Sequence, residues 1–480
     1  MTDDLRRLLT RAVDHAVDYR DSLAEHAGRP ARTYYEMRDA LSEPLPERGA
    51  APLTVLEELA ERSAGGLMPI TGPRFFGWVM GASHPAGVAA DWLVSAWGQN
   101  AGYHTPTPAA SAMEEIAERW LLDILDLPRE SSIGFVTGAT VAGAVGLAAA
   151  RTRVLLDAGW DPDADGLFGA PPVHVLIGED AHSSMFSALQ LIGFGYRRVI
   201  RVGTDGEGRM RPDALTTALR GLTGPRIVIA QAGQINTGAY DPFTEIIAIA
   251  KAAGAWVHVD GAFGLWARAA PSLKHLTAGI EGADSWVTDG HKWLQVPYDS
   301  GFAIVRDREA HQRAMTQWAS YLPSIGETDR VPSAFVPELS RRARGTPVWA
   351  MLKTFGREGV AALVEHHCAL AKRMAARLTA EPGINLRNEV TINQLIVDFG
   401  KGDAATRKTL TEAVIAGVQA GGICFAGGAS WRGDWVMRLS ISSGATTEAD
   451  IDMSADAIIA AWREVQAQRP ADAYSRAGSG

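Results

Sequence analysis

Cysteine is almost absent: Cys368 and Cys424 are the only two in 480 residues. They lie far apart without metal-ligand or redox spacing, which excludes a disulfide framework, a thiolate metal centre and a Cys-x-x-Cys pair. Two free thiols suit a reducing compartment, and a cytoplasmic protein without a metal is expected. Positive charge is also scarce, with 46 Lys and Arg against 55 Asp and Glu and a net charge of −9. A nucleic-acid or anionic-membrane surface needs a concentrated basic face, and none is visible. Long apolar runs are missing as well. The start "MTDDLRRLLTRAVDHAVDYRD" mixes charges through every turn and has no small-residue cleavage site, so it does not read as a signal peptide. No window reads as a membrane span. There is no internal repeat, and only the tail "PADAYSRAGSG" looks disordered. What remains is a chain of 46% hydrophobic residues, enough for one large α/β domain with smaller appendages.

The first 70 or so residues read as helices interrupted by "EPLPERGAAP", too charged to bury much alone and suited to packing on a partner domain or second subunit. In "SAMEEIAERWLLDILDLP", Met113, Ile116, Ala117, Trp120, Leu121 and Ile124 recur at helical spacing and predict one apolar face. Strands and helices then alternate. "VHVLIG", "RIVIAQ", "AWVHVD" and "GFAIVR" are short apolar runs suited to strands covered on both faces. Between two of them, "DPFTEIIAIAKAAG" predicts a helix with Asp241 as N-cap, Pro242 at the first position and Gly254 past the end. Strand-helix-strand units imply a mostly parallel sheet, whose ligands gather at the carboxyl ends of the strands. The expected organisation is an N-terminal helical segment over residues 1–95, a large domain over 96–350, a smaller α+β domain over 351–468 and a tail over 469–480.

Three loops at that expected edge carry unusual residues. In "FVTGAT", Thr137, Gly138, Ala139 and Thr140 follow a strand and open a small-residue helix, which presents free N–H groups to an anion. By itself this is equally a helix cap. In "GEDAHSSMFSALQLIG", His182 opens a helix and offers a flat ring, or merely bonds the backbone there. In "HVDGAFGLW", Asp260 ends a strand that reads as buried, where a carboxylate needs a cation or several donors. A fourth segment, "TDGHKWLQVPYDSG", puts Lys292 in a corner between a strand and a returning strand. Burial of a lysine favours its neutral, nucleophilic form. Taken together, a lysine for a Schiff base, a carboxylate for a ring nitrogen, an anion seat and a flat stacking group suit pyridoxal 5'-phosphate.

The chain resembles the group II pyridoxal-phosphate decarboxylases, which include the aromatic-L-amino-acid, tyrosine and glutamate decarboxylases. The likeness runs through "FFGW", "TPTPAASAMEE", "TGAT", "DAHSS", "NTGAYDP", "HVDGAFG", "DGHKWL" and "RLSISS", and so covers most of the chain. It implies an α/β enzyme of fold type I, with a seven-stranded-type, mostly parallel sheet in the large domain, a small C-terminal α+β domain and a helical N-terminal segment that embraces the second subunit of a homodimer. It implies a covalent bond between Lys292 and pyridoxal 5'-phosphate, Asp260 on the pyridine nitrogen and His182 stacked on the ring. Gly138, Ala139, Thr140, Ala262 and His291 complete the implied cofactor site. Relatives carry a loop tyrosine that protonates Cα after carbon dioxide leaves, and Tyr321 in "QWASYLPSIGETDRVPSAFVPE" stands in the corresponding stretch.

The chain also departs from the family pattern. Gln234 and Ile235 occupy positions where a threonine pair is usual, and Val141 replaces a glutamate after the phosphate-loop threonine. The segments matching the substrate pocket bring Trp78, Val79, Met80, Tyr103 and His104, without an arginine for a side-chain carboxylate. An aromatic or bulky apolar L-amino acid is therefore expected over glutamate or aspartate. Another carbon-carbon lyase or aldolase, an aldehyde synthase and an aminotransferase on the same fold remain alternatives.

Overall fold

The computed structural model describes residues 2–25, 28–316 and 330–468. Its contacts divide the chain into two units, one comprising Val79–Lys372 with Arg387–Ile396, the other the chain up to Trp78, Arg373–Leu386 and the chain from Val397 onward. These limits differ from the expected boundaries near 95 and 350. The latter falls inside the helical stretch Gly345–Thr379, which kinks at Gly356 and carries the division further along the chain.

The first unit is built on seven strands: β1 (Ser132–Val136), β2 (His174–Gly178), β3 (Ile200–Val202), β4 (Arg226–Gln231), β5 (Trp256–Asp260), β6 (Ser285–Asp289) and β7 (Gly301–Val305), in the order β1-β7-β6-β5-β4-β2-β3. Pairings β2 with β3, β2 with β4, β4 with β5 and β5 with β6 are parallel. β7 runs antiparallel to both β6 and β1, with Ser285 opposite Val305 and Ser132 opposite Val305 on its two sides. The sheet is thus mostly parallel, as the apolar runs predict. β1, β5, β6 and β7 are buried at every residue, which is why they read as continuous apolar stretches.

Two helices depart from expectation. Ala139–Leu156 is long and apolar enough to cross a membrane by length and composition, although no such window was expected. Two-thirds of it is buried in the unit, and its small residues pack it against β5, β6 and β7. The helix Phe243–Ala252 begins one residue later than expected, with Pro242 as its N-cap. Asp241 does not cap it. Its carboxylate accepts the Met210 N–H (2.6 Å) and the Gln231 N–H (2.8 Å) instead.

The helix Pro108–Ile124 buries Ala117, Leu121 and Ile124 as its spacing predicts, and also Glu114 and Glu118. Arg330 bonds both carboxylates, through Nη1 to Glu114 (2.9 Å) and through Nε to Glu118 (2.5 Å), and Arg341 also pairs with Glu114. Buried charges of this kind persist only when each has a partner.

The second unit contains the helices Thr2–Asp21, Tyr34–Leu41 and Pro52–Ser63 and the C-terminal helix Glu448–Ala467. β8 (Ile384–Leu386), β9 (Gln394–Phe399), β10 (Gly427–Trp431) and β11 (Asp434–Ser440) form a four-stranded sheet in the order β10-β11-β9-β8.

Candidate active site

β1, β2, β4, β5 and β6 point the same way, so their carboxyl ends share one edge. After β1 the chain turns at Gly138, the N-cap of the helix Ala139–Leu156, where no side chain caps the first turn. The leading N–H groups of a helix are unsatisfied by the helix itself. After β2, His182 caps the helix Ser183–Leu191, its Nδ1 accepting the Ser184 N–H (3.3 Å) and lying 2.8 Å from Ser184 Oγ. β5 ends on Asp260, only 4% exposed, whose Oδ1 accepts the Ala262 N–H at 3.2 Å. Burial raises the pKa of this carboxyl, against the opposing charges of His182 and Lys292.

Beyond β6 the chain folds into a tight turn bearing Lys292. Gly290 and His291 donate their N–H groups to Ser300 O (3.0 and 3.2 Å), and Ser300 returns its N–H to His291 Nδ1 (3.2 Å). Gln295, at φ +62°, donates through Nε2 to Lys292 O (3.2 Å). Gly81 lies against the same turn. A Cβ on it would fall 2.1 Å from Lys292 O and 2.2 Å from His291 O, so only glycine permits this approach. The turn therefore stands in one place. From it, Lys292 Nζ reaches Asp289 Oδ2 at 2.9 Å, with His291 Nε2 3.6 Å from the same oxygen. Burial holds the His291 imidazole below its usual pKa.

The phosphate-loop expectation and the lysine turn meet at Gly138. A Cβ there would sit 3.1 Å from His291 Cε1 and 3.5 Å from Asp289 Oδ1. Gly138, His182, Asp260, Ala262, His291 and Lys292 thus all lie at one sheet edge, with Ala139 and Thr140 opening the adjoining helix. Asp289 was not singled out, although a carboxylate three residues before the lysine was in plain sight. Tyr298 was missed too; its ring lies 4.4 Å from that of His291. Gln234 ties its own loop to the one after β2, its Oε1 accepting the Asn236 and Thr237 N–H groups (2.6 and 3.0 Å) while Nε2 donates to Asp180 O (3.1 Å). Its partner in the departure, Ile235, packs against the main apolar core.

The expected substrate residues are more scattered. Val79 is 6% exposed and belongs to the main core, and Met80 is half-buried. Tyr103 packs on the cluster of Val331, Ala334 and Phe335, while His104 Nδ1 lies 3.5 Å from Thr105 Oγ1. Trp78 belongs to the other unit, where it stacks on Phe425 at 5.4 Å. Tyr321 lies outside the described residues, as does the tail from 469.

Residues 35–398 match the pyridoxal-dependent decarboxylase conserved domain. The chain belongs to this family. It is 30% identical to tryptophan decarboxylase 1 of Oryza sativa subsp. japonica over 76% of this chain and 73% of that one. To the aromatic-L-amino-acid decarboxylase of Bacillus atrophaeus it is 28% identical, over 78% of each chain. The crystal structure of Oryza sativa TDC with PLP and tryptamine superposes with a TM-score of 0.90 at 23% identity, covering 97% of this chain and 98% of that one. The fold is accordingly fold type I, and the protein is a pyridoxal-phosphate-dependent carboxy-lyase. The site fits the cofactor on its own terms. Asp260 is a buried carboxyl that a cationic ring nitrogen would satisfy, and the uncapped helix start at Gly138 leaves N–H groups for a phosphate.

Proposed function

We propose that Lys292 carries the cofactor covalently and that the protein decarboxylates an L-amino acid with an aromatic or bulky apolar side chain, giving the amine and carbon dioxide. One observation carries the assignment of the site. Asp260 ends β5 and Lys292 lies in the turn just beyond the adjacent parallel strand β6, close enough for the lysine charge to act on the buried carboxyl.

When bound, pyridoxal phosphate supplies a sink for the electron pair left at Cα as the carboxylate departs. Asp260 holds a proton at the ring nitrogen, and the Ala262 N–H fixes the orientation of its carboxyl. His182, held by Ser184, would supply the flat group that stacks on the cofactor ring. The N–H groups of the Gly138–Thr140 turn, with His291, hold the phosphate. Tyr321 delivers the proton to Cα. Met80, Tyr103 and His104 contribute apolar and aromatic surface to substrate recognition.

The active form is a homodimer. Support comes from the helix Thr2–Asp21, where Leu5, Leu9, Val13 and Val17 recur every fourth residue and stand exposed in the single chain. A reducing, cytoplasmic setting accords with Cys368 and Cys424, both buried and free.

The test incubates the loaded enzyme with each amino acid and follows amine, carbon dioxide, ammonia and keto acid. Amine with stoichiometric carbon dioxide from an aromatic substrate is expected. Keto acid or aldehyde as the main product would replace the reading with a transaminase or an aldehyde synthase. Borohydride reduction and peptide mapping should place the pyridoxyl group on Lys292, and its recovery on another lysine would overturn the site.

A further inference from the structure

β4 lies between β2 and β5 in the sheet, so the loop after β4 sits between the loop that bears His182 and the strand end that bears Asp260. That loop is closed tightly. The Ala232 N–H donates to Asp260 O (2.7 Å), the Gly233 and Gln234 N–H groups both donate to Ala239 O (3.1 and 2.8 Å), and the Gly238 N–H donates to Gln234 O (2.7 Å). Gly264 presses on its first residue, where an added Cβ would fall 2.2 Å from Ala232 O. Gln234 is 2% exposed and uses both ends of its amide. Oε1 accepts the Asn236 and Thr237 N–H groups, and Nε2 donates to Asp180 O at 3.1 Å, two residues before His182.

Further fastenings of the His182 loop come from β3, on the side away from Asp260. Thr204, just beyond β3, bonds the Asp180 carboxylate and, through its N–H and hydroxyl, the Glu179 carboxylate (3.1 and 3.2 Å), while the Glu179 N–H donates to Val202 O (2.9 Å). Gln234 fastens the same loop from the β4 side. The threonine usual at this position could not do so, because its hydroxyl ends two bonds short of the reach of a glutamine amide. We infer that Gln234 is a positioning residue, which holds segment 180–182 at a fixed spacing from Asp260 so that the His182 ring meets the cofactor face while Asp260 meets the ring nitrogen. The inference rests on the reading of His182 and Asp260 as cofactor contacts, and Gln234 acts through His182.

The spacing matters because both contacts are directional. His182 and Asp260 already lie close enough for their charges to interact in the cofactor-free chain. A stacked ring contributes about twofold to tenfold to affinity, and only while the two planes face each other at contact distance. Asp260 is fixed by its own strand, whereas His182 stands at the start of a helix, beyond the end of β2. The tie at Asp180 O is what refers the second position to the first, through Gln234 and the Ala232 N–H. A residue that merely stabilised its own loop would affect the chain equally whether or not His182 were there to stack. A positioning residue would not.

Gln234→Met keeps the length of the side chain and removes both bonding ends without adding charge. Equilibrium dialysis of pyridoxal phosphate and visible circular dichroism of the bound cofactor are compared in wild type, Gln234→Met, His182→Ala and the double variant. Gln234→Met should weaken binding about twofold to tenfold and diminish the dichroic band. In the His182→Ala background the same change should cost less than about twofold and leave the band as it is, because the two residues act as one unit. Equal losses in both backgrounds, or unchanged affinity and band in Gln234→Met, would overturn the inference. A crystal structure of the loaded wild-type enzyme decides the matter whether or not a variant folds. Gln234 Nε2 bonded to Asp180 O with the His182 ring over the cofactor is expected, and an amide turned away from Asp180 would overturn the inference. If His182→Ala matched wild type in both affinity and band, the reading of His182 as the stacking group would fall first and the inference with it.

Discussion

Replacing Asp260 by asparagine separates its two roles, one unfavourable without cofactor and one favourable with it. In the cofactor-free chain the carboxyl is 4% exposed and its pKa lies above the ordinary 3.8, because burial penalises the charged form. A carboxyl whose folded pKa is raised binds its proton more tightly in the folded state. Its contribution to stability is therefore full below about pH 3.8 and is lost as pH rises through the folded value. Asp260→Asn should remove this decline, so the cofactor-free variant equals or exceeds wild type in stability at pH 8. Cofactor affinity should change the other way. Truncating one member of a buried, hydrogen-bonded charge pair costs about 2–5 kcal/mol. That corresponds to a loss of affinity of about 30-fold to several thousand-fold. Turnover should fall further, since a neutral pyridine is a poor electron sink. Equilibrium dialysis of pyridoxal phosphate gives the affinity, and urea unfolding of the cofactor-free proteins at pH 5 and pH 8 gives the stability. A variant that binds cofactor within threefold of wild type and still turns over would refute the assignment of Asp260 to the ring nitrogen.

Three further outcomes are expected. Asp241 is fully buried with a pKa raised to about 7, so its contribution to stability is present below about pH 4 and lost as pH rises towards 7. The decline amounts to about 4 kcal/mol at most, and urea midpoints should reveal it in wild type and not in Asp241→Asn; parallel pH profiles would contradict it. Arg330→Met leaves Glu118 without its closest cation and should cost about 3–5 kcal/mol at pH 8, and less at pH 5 where Glu118, raised by burial, can take a proton. Equal losses at both pH values would mean that packing rather than charge is at stake. Tyr321→Phe should still consume substrate and release carbon dioxide, but form amine about a hundredfold to ten-thousandfold more slowly and divert product to aldehyde under air; unchanged amine output, measured by chromatography, would make Tyr321 a bystander.

The parts of the site that could be read in the sequence share a physical cause. β1, β5 and β6 are buried at every residue, so they appear as apolar runs, and a polar residue at the end of such a run stands out. Asp260 was visible for that reason, whereas Lys292 lies three residues beyond the end of β6. The failures have a common cause as well. Glu114 and Glu118 lie outside the apolar spacing of their helix, and nothing near them in the sequence announces their burial, because their cations, Arg330 and Arg341, come more than 200 residues later. Asp241 fitted the local rule for an N-cap, yet the Met210 and Gln231 N–H groups claimed its carboxylate first. Val79 sits in a segment without periodicity, where nothing distinguishes a residue of the core from one lining a pocket.

Asp289 is the instructive case, because its local signal was strong and still went unused. A carboxylate three residues before a buried lysine reads most simply as the lysine's counter-ion, and the 2.9 Å contact is there. That reading accounts for one oxygen only. The other is buried without a hydrogen-bond partner, 3.5 Å from where a Cβ on Gly138 would be. Such a pairing has to be undone when the lysine is used. A chain selected for stability alone would surround both oxygens with donors, so a buried carboxylate paired through one oxygen only marks a place shaped by more than stability. The same holds for Asp260, whose burial is unfavourable until a cation arrives. The cation that Asp260 lacks is one that the ring nitrogen of pyridoxal phosphate can supply, so the chemistry of this edge accords with the family.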